Sequence, residues 1–347
     1  MKFNKPPALK KGDSIGIFTP SWPANCILHE KYLLGVDALR GMGFEVTEGT
    51  LTRKFTGQGY RAGSIRERAA EFNELYTNPD VKCLISTIGG ECSGSMIPYL
   101  DYDFIKKHPK IVCGYSDVTA LHLALNTLGN LTTFYGPSVV SSFGESPSVP
   151  EYTLASWLMQ MGMKALQPPF SIIAPAHYSN EFIDARKSGW KQQHRTFKIN
   201  AGWKIVKSGK VKGPVRALNL STLCSLAGTP LWPQLQGNIL LLEQMNTSFA
   251  LEERLLNQLK LIGVFDLIAG LIISKPEKMD RNNAPFTYEE LLLELIGSSA
   301  SFPIIINFDC GHTVPMLTIP QGVLIEMDAS DKHRVPTVVQ YELGVLK

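Results

Sequence analysis

Long hydrophobic runs are missing from this sequence of 347 residues: FDLIAGLIIS at 265–274 is far short of the roughly 18 residues that cross a bilayer. The opening MKFNKPPALKKGD has no apolar leader core either, so a soluble, cytoplasmic protein is expected. Charge of one sign is scarce. The formal net charge is +3, and the basic clusters KK at 10–11 and KKHPK at 106–110 are too short for a nucleic-acid arm or a membrane patch. Cysteine occurs six times but never as a CxxC pair, which argues against a disulfide framework or a zinc ribbon. Cys83 and Cys113 lie in apolar runs, and the set is read as reduced thiols in or near the core. Cys310 and His312 have no second cluster to join, so no metal site is expected. In IGGECSGS (88–95), Gly89, Gly90 and Gly94 have the wrong spacing for a dinucleotide fingerprint, and no lysine follows to make a P-loop. No internal repeat or low-complexity segment is present.

What is present suits a globular chain of two domains: 44% of residues are hydrophobic and 19% charged. Strand-like runs at 13–21, 44–49, 81–90 and 110–116 alternate with helical patterns at 29–43, 64–78 and 117–129. Ser64 followed by Glu67 is a capping box for the second of those helices. This rhythm predicts an α/β fold: a mostly parallel N-terminal sheet flanked by helices. Residues 160–212 lose the periodicity, with QPPF, APAHYSN and RKSGWKQQHRTF, and read as a linker with a functional loop or lid. Regular patterns return with a helix at 219–228, strands at 237–243, 266–274 and 302–309, a helix at 251–263, and a tail of strand character from 322. The expected division is 1–165, 166–212 and 213–347, the last a smaller β-rich α/β domain.

Ligand sites of such sheets lie at the carboxyl ends of strands, and the candidates for chemistry fall there. Ser116, in GYSDVTALH, stands where a strand turns into a helix. That position suits a nucleophile backed by a helix N-terminus, and equally a plain N-cap. Val118 two residues on departs from the G-x-S-x-G of α/β-hydrolases. The Gly89–Gly90 turn could expose backbone N–H groups to an oxyanion, or be only a tight turn. Among seven histidines, His122 is turned to another helix face and His108 and His333 sit in charged segments. His312 instead follows the strand FPIIINFD in a loop of small residues. An orienting carboxylate could come from Glu243, ending the strand NILLLE where a charge is costly unless paired, with Asp309 and Asp117 as rivals.

Beyond these residues, KKGDSIGIFTPSWPA, YRAGSIRERAAEFNEL, STIGG, PKIVCGYSDVTAL, FYGPSVVSSFGE, NILLLE and FDCGHTVPMLTIPQG run through nearly the whole chain in one order. Together they resemble the LD-carboxypeptidase family of serine peptidases, and most of all its microcin C self-immunity branch. The resemblance implies Ser116 as nucleophile, with Glu243 and His312 completing a triad assembled between two domains of a homodimer. It implies an oxyanion hole from the N–H groups of Gly90 and Asp117, and no metal or organic cofactor. Gly89 and Asn219 are expected substrate contacts. Trp190, in KSGWKQQ, resembles a loop tryptophan that stacks on the substrate's adenine, with Trp203 as the fallback. The implied activity is cleavage of an amide bond in a small peptidyl- or aminoacyl-adenylate. The alternatives are trimming of murein tetrapeptides and a binding protein without turnover. Nucleic acid and membrane are not expected partners. Three features depart from the family pattern: Ala217 and Leu218 replace glycines ahead of Asn219, Gln244 follows Glu243, and MNTS lacks basic residues. Side chains at 217 and 218 are expected to narrow the pocket.

Overall fold

The computed structural model describes residues 3–55, 57–165, 167–297 and 300–347. Strands β1 (Ser14–Phe18), β2 (Glu45–Glu48), β3 (Val81–Ser86), β4 (Ile111–Gly114) and β5 (Phe134–Tyr135) form a parallel sheet in the order β5-β4-β3-β1-β2. The alternation read in the sequence is the alternation of its two faces. Cys83, Ile85, Ile111 and Cys113 pack into one core with Tyr32, Val36 and Leu39. Leu84 and Val112 pack on the other side with Phe72, Leu75 and Leu121. Both faces are covered, as a parallel sheet requires. The capping box at Ser64 and Glu67 is formed at the head of helix Ile65–Thr77.

The chain passes from β1 to β2 on one side and then returns to β3 on the other. The strand order therefore switches between β1 and β3, and a crevice opens beyond their carboxyl ends. The turns at Trp22 and at Ile88–Gly90 emerge there.

A second sheet of eight strands has a parallel centre made of Lys210–Asn219, Ile239–Glu243, Gly270–Ser274 and Ile304–Phe308. It is β-rich as expected, and wider than the first sheet. The stretch 166–212 departs from the picture of a linker and loop. Phe170–Ile172 and Lys204–Lys207 form the two edges of the second sheet, and His177–Tyr178 pairs with Lys198–Ile199 in a small ribbon. In the other direction, Ile319–Pro320 crosses from the C-terminal half to pair with β5 of the first sheet. The second half therefore contributes a strand to the first sheet.

All six cysteines are free, and Cys83, Cys113, Cys224 and Cys310 are buried. Among the described residues no helix is long and apolar enough to cross a membrane, and no group of three or more potential metal ligands gathers.

Candidate active site

Ser116 follows β4 after a single residue, and its backbone is left-handed, with φ +62°. A side chain with a Cβ is uncomfortable there, so the surroundings must hold it. They do so from three directions. The Ser116 N–H donates to Tyr135 Oη at 2.9 Å. The tight turn Ser116–Val118 runs straight into helix Thr119–Thr127. Asp117 turns its carboxylate away, accepting from the Ser93 N–H at 2.9 Å, while Ser93 Oγ donates to the Asp117 carbonyl. The glycine turn after β3 is thereby fastened to the turn that carries the serine. Gly89 is pressed against it: a Cβ there would stand 3.1 Å from Ser116 Cβ and 3.2 Å from the Asp117 nitrogen. Gly90 has φ +147°, which favours glycine, and a Cβ would fall 2.3 Å from Ser21 Oγ.

Glu243 ends its strand at 2% exposure, and its charge is met by three donors. His312 Nδ1 lies 2.6 Å from Oε2. Tyr135 Oη donates to Oε1 at 2.6 Å, and Asn219 Nδ2 donates to the same oxygen at 2.9 Å. Burial alone would raise the carboxyl's pKa; the charge and bond of His312, with the Tyr135 and Asn219 bonds, bring it below the usual carboxylate value. For His312 burial acts downward, but Glu243, joined by the charge of Glu277, lifts the imidazole above its ordinary value. The Tyr115 ring lies against the imidazole at 4.9 Å. Gly311, at φ +139°, lets the His312 loop close on Glu243, since a Cβ there would meet Oε2 at 2.6 Å.

Of the three acids proposed as partners for His312, Glu243 is the one bonded to it. Asp309 is occupied by Lys275 Nζ at 2.6 Å and Trp203 Nε1 at 2.9 Å. Cys310 is buried, with its thiol directed at the Leu317 carbonyl rather than at any site shared with His312.

Ser116 and His312 face one cavity of about 560 Å³, together with Gly89 and Gly90. Its remaining walls come from both halves of the chain, including Phe182–Arg186 and Arg195 of the 166–212 stretch. Also on the wall, Glu145, buried, accepts from Lys31 at 2.7 Å and from Arg195 at 2.8 Å.

Several expectations are placed differently. Asn219 is absent from the cavity wall; it caps helix Leu220–Ser225 and holds Glu243 from behind. Trp190 does not reach the cavity wall either. It is 5% exposed, with Nε1 3.3 Å from Glu30 Oε2 and its ring beside Lys31 and Lys191, so it packs the loop down. Trp203 is core, its ring tilted against that of Phe308. Ala217 and Leu218 do not narrow the pocket, because they point to opposite faces of the second sheet and fill its two cores. Gln244 turns to Ser221, accepting from its N–H at 3.0 Å and its hydroxyl at 2.9 Å. Tyr135, Tyr115 and Glu277 were not singled out from the sequence. For the first of them the only sequence signal is the aromatic pair of FYGP ahead of a Gly-Pro turn.

Comparison with known proteins decides the family. A description of the LD-carboxypeptidase N-terminal domain matches residues 15–136, and that of the C-terminal domain matches residues 212–327. The chain belongs to the LD-carboxypeptidase family. It is 39% identical to the microcin C7 self-immunity protein MccF of Escherichia coli over 94% of this chain and 93% of that one. A putative carboxypeptidase of Vibrio cholerae is 37% identical over 94% and 95%. A probable murein peptide carboxypeptidase of Bacillus subtilis is 29% identical over 95% and 93%. Wild-type MccF without ligand superposes with a TM-score of 0.91 at 36% identity, covering 99% of this chain and 100% of that one. MccF in complex with aspartyl sulfamoyl adenosine superposes at 0.90, again at 36% identity with coverage of 99% and 100%. A MccF mutant in complex with adenosine monophosphate gives 0.91 with the same identity and coverage.

Proposed function

We propose that this member of the family hydrolyses the amide bond between an aminoacyl or peptidyl group and a nucleotide-like leaving group, with Ser116, His312 and Glu243 as its catalytic triad. The observation that carries the reading is the pairing of a buried Glu243 with His312 Nδ1 on the cavity where Ser116 sits in a left-handed turn. With Nδ1–H donated to the carboxylate, the neutral imidazole presents the lone pair of Nε2, the nitrogen a general base needs. Ser116 Oγ then attacks the carbonyl carbon and loses its proton to Nε2. Nε2 returns that proton to the departing nitrogen, and water, deprotonated the same way, releases the acyl group from the serine. The amides of Gly90 and Asp117 are the proposed donors to the oxyanion, on the two turns that Ser93 and Asp117 tie together.

A cavity of about 560 Å³ suits a ligand of nucleotide-conjugate size, and structures of MccF have been solved in complex with aspartyl sulfamoyl adenosine and with adenosine monophosphate. A murein tetrapeptide remains the second substrate reading, favoured by the Bacillus relative. The test is mass-spectrometric hydrolysis of an aspartyl-adenylate analogue with a cleavable amide and of a murein tetrapeptide, by wild type and by Ser116→Ala. Cleavage of the adenylate analogue by wild type alone is expected. Cleavage of the tetrapeptide alone moves the protein to cell-wall substrates, and unchanged hydrolysis by Ser116→Ala ends the triad.

A further inference from the structure

The helix Ile65–Thr77 buries two ionisable side chains that the mechanism does not use, Arg68 at 1% exposure and Glu71 at 2%. Among the described residues, neither is bonded to an opposite charge. Glu71 accepts the N–H groups of Thr19 at 2.7 Å and Thr52 at 2.6 Å, and so fixes the start of the turn after β1. Arg68 spreads its fork wider. Nη1 donates to the Pro20 carbonyl at 2.6 Å and to the Cys92 carbonyl at 2.9 Å. Nη2 donates to Ser95 Oγ at 2.9 Å, and Nε to the Gly63 carbonyl at 3.2 Å. All of these acceptors are neutral, and taking a guanidinium out of water is costly when no counter-ion meets it. Burial accordingly pushes its pKa below the ordinary value.

What these bonds secure is a spacing. Pro20 belongs to the turn that follows β1 and Cys92 to the turn that follows β3, and a single nitrogen bonded to both carbonyls sets the distance between them. Around that point the two turns are laced together. Ser21 Oγ accepts the N–H groups of Glu91 and Cys92, each at 3.0 Å, and the Trp22 N–H donates to the Gly89 carbonyl at 3.1 Å. Gly90 lies between those bonds and rests on Ser21, so closely that a Cβ would stand 2.3 Å from its Oγ. On its other side the same turn is tied to the turn of Ser116 through Ser93 and Asp117. A lysine could not replace the fork, because its three donors radiate from one nitrogen on a flexible stem.

We infer that Arg68, acting through Ser21 and the Cys92 carbonyl, is the positioning residue that holds the Gly90 amide in place for the oxyanion. The inference rests on the catalytic reading above and deepens it: the donor on the Gly90 turn is aimed from behind by a buried guanidinium that never meets the substrate. An oxyanion donor works only at about 2.7–3.1 Å from the oxygen it serves, so a small drift of this turn weakens the transition state while leaving the bound ground state largely untouched.

Amide exchange and kinetics test it separately. By hydrogen–deuterium exchange with mass spectrometry, residues 88–95 of Arg68→Lys should exchange about 10-fold faster than in wild type, with residues 65–77 still protected. Unchanged exchange at 88–95 overturns the inference. On whichever of the two substrates wild type cleaves, kcat of Arg68→Lys should fall about 10- to 100-fold with KM within about threefold. A rise in KM with kcat held, or no loss in either, also overturns it. Ser21→Ala should repeat both results, and it carries the test should Arg68→Lys fail to fold. Arg216→Lys is the control, since Arg216 is likewise a buried guanidinium, 5% exposed and bonded to Asn126 Oδ1 at 2.8 Å, but does not line the cavity. It should leave kcat and the exchange of 88–95 as in wild type; equal losses in both arginine variants mark a general loosening and refute the positioning role. If wild type cleaves neither substrate, the proposed function fails, and the exchange comparison alone decides whether Arg68 holds the turn.

Discussion

Tyr135→Phe removes a single oxygen that serves two residues of the site at once. Tyr135 Oη accepts the Ser116 N–H at 2.9 Å and donates to Glu243 Oε1 at 2.6 Å, and the side chain is fully buried. Without it, a left-handed serine loses its amide partner, and a buried carboxylate keeps Asn219 as its one donor on Oε1. Hydrogen bonds to charged groups are worth about 1.5–3 kcal/mol. If the loss appears as misplacement of Ser116 and Glu243 in the transition state, kcat/KM falls about 10- to 100-fold. The pH profile should change in a stated direction. Tyr135 helps hold the Glu243 pKa down; with its donor gone, the carboxylate charge is less compensated and favours the imidazolium more. The His312 pKa then rises, and the acid limb of kcat/KM moves to higher pH. The matched control is Tyr115→Phe, whose hydroxyl bonds Ser141 rather than Ser116 or Glu243, although its ring lies against His312; its cost should stay under about threefold. Steady-state kinetics across pH, with thermal unfolding to verify the fold, supplies the measurement. A Tyr135→Phe enzyme within twofold of wild type, or an acid limb displaced to lower pH, refutes the argument.

Two further outcomes follow from the same contacts. If His312 is the base of the proposed triad, the kcat/KM of wild type should fall on acidification with a midpoint above the ordinary histidine value of 6.5, because Glu243 and Glu277 raise His312 and only its neutral form could accept a serine proton; a midpoint below 6.5 contradicts that environment. Gly89→Ala would place a methyl 3.1 Å from Ser116 Cβ and 3.2 Å from the Asp117 nitrogen; turnover should drop by about 10²-fold or more with binding of a small nucleotide retained, and an unimpaired rate would show that this turn stands clear of the reaction.

The parts of the fold legible in the sequence are those governed by local rules. Strand β3 shows its period because Cys83 and Ile85 enter one core and Leu84 the other, and the helix after Gly63 announces itself by its capping box. The edge strands had no such signal. Phe170–Ile172 is three residues long and owes its conformation to pairing with Thr337–Gln340, far away in the chain. Ile319–Pro320 is a strand only because β5 lies beside it. Within the site, Ser116, Glu243 and His312 could be nominated because each stands where an apolar run ends, and an ionisable or nucleophilic group there needs a reason. The residues that hold them are hidden: Tyr135 lies in a strand of two residues, and Asn219, offered by the resemblance as a substrate contact, caps a helix and bonds Glu243 instead. Glu277, in KPEK, looks like surface charge until the fold buries it.

The family resemblance offers Trp190 as a platform for a base, and whether an indole face is offered outward depends on what lies beneath it. Here the ground is charged: Glu30 accepts from the indole nitrogen, and Lys31 lies 5.9 Å from the ring. A few residues on, Arg195 reaches Glu145 beside the same Lys31. The loop is therefore fastened at two nearby points, one of them a buried carboxylate shared by two cations. Removing one cation from such a group is costly because it leaves charge uncompensated. What the fastened loop offers the cavity is the Phe182–Arg186 segment that precedes both points, and the Arg195 guanidinium. The loop therefore lines the cavity with Phe182 and Ile183 rather than with the indole.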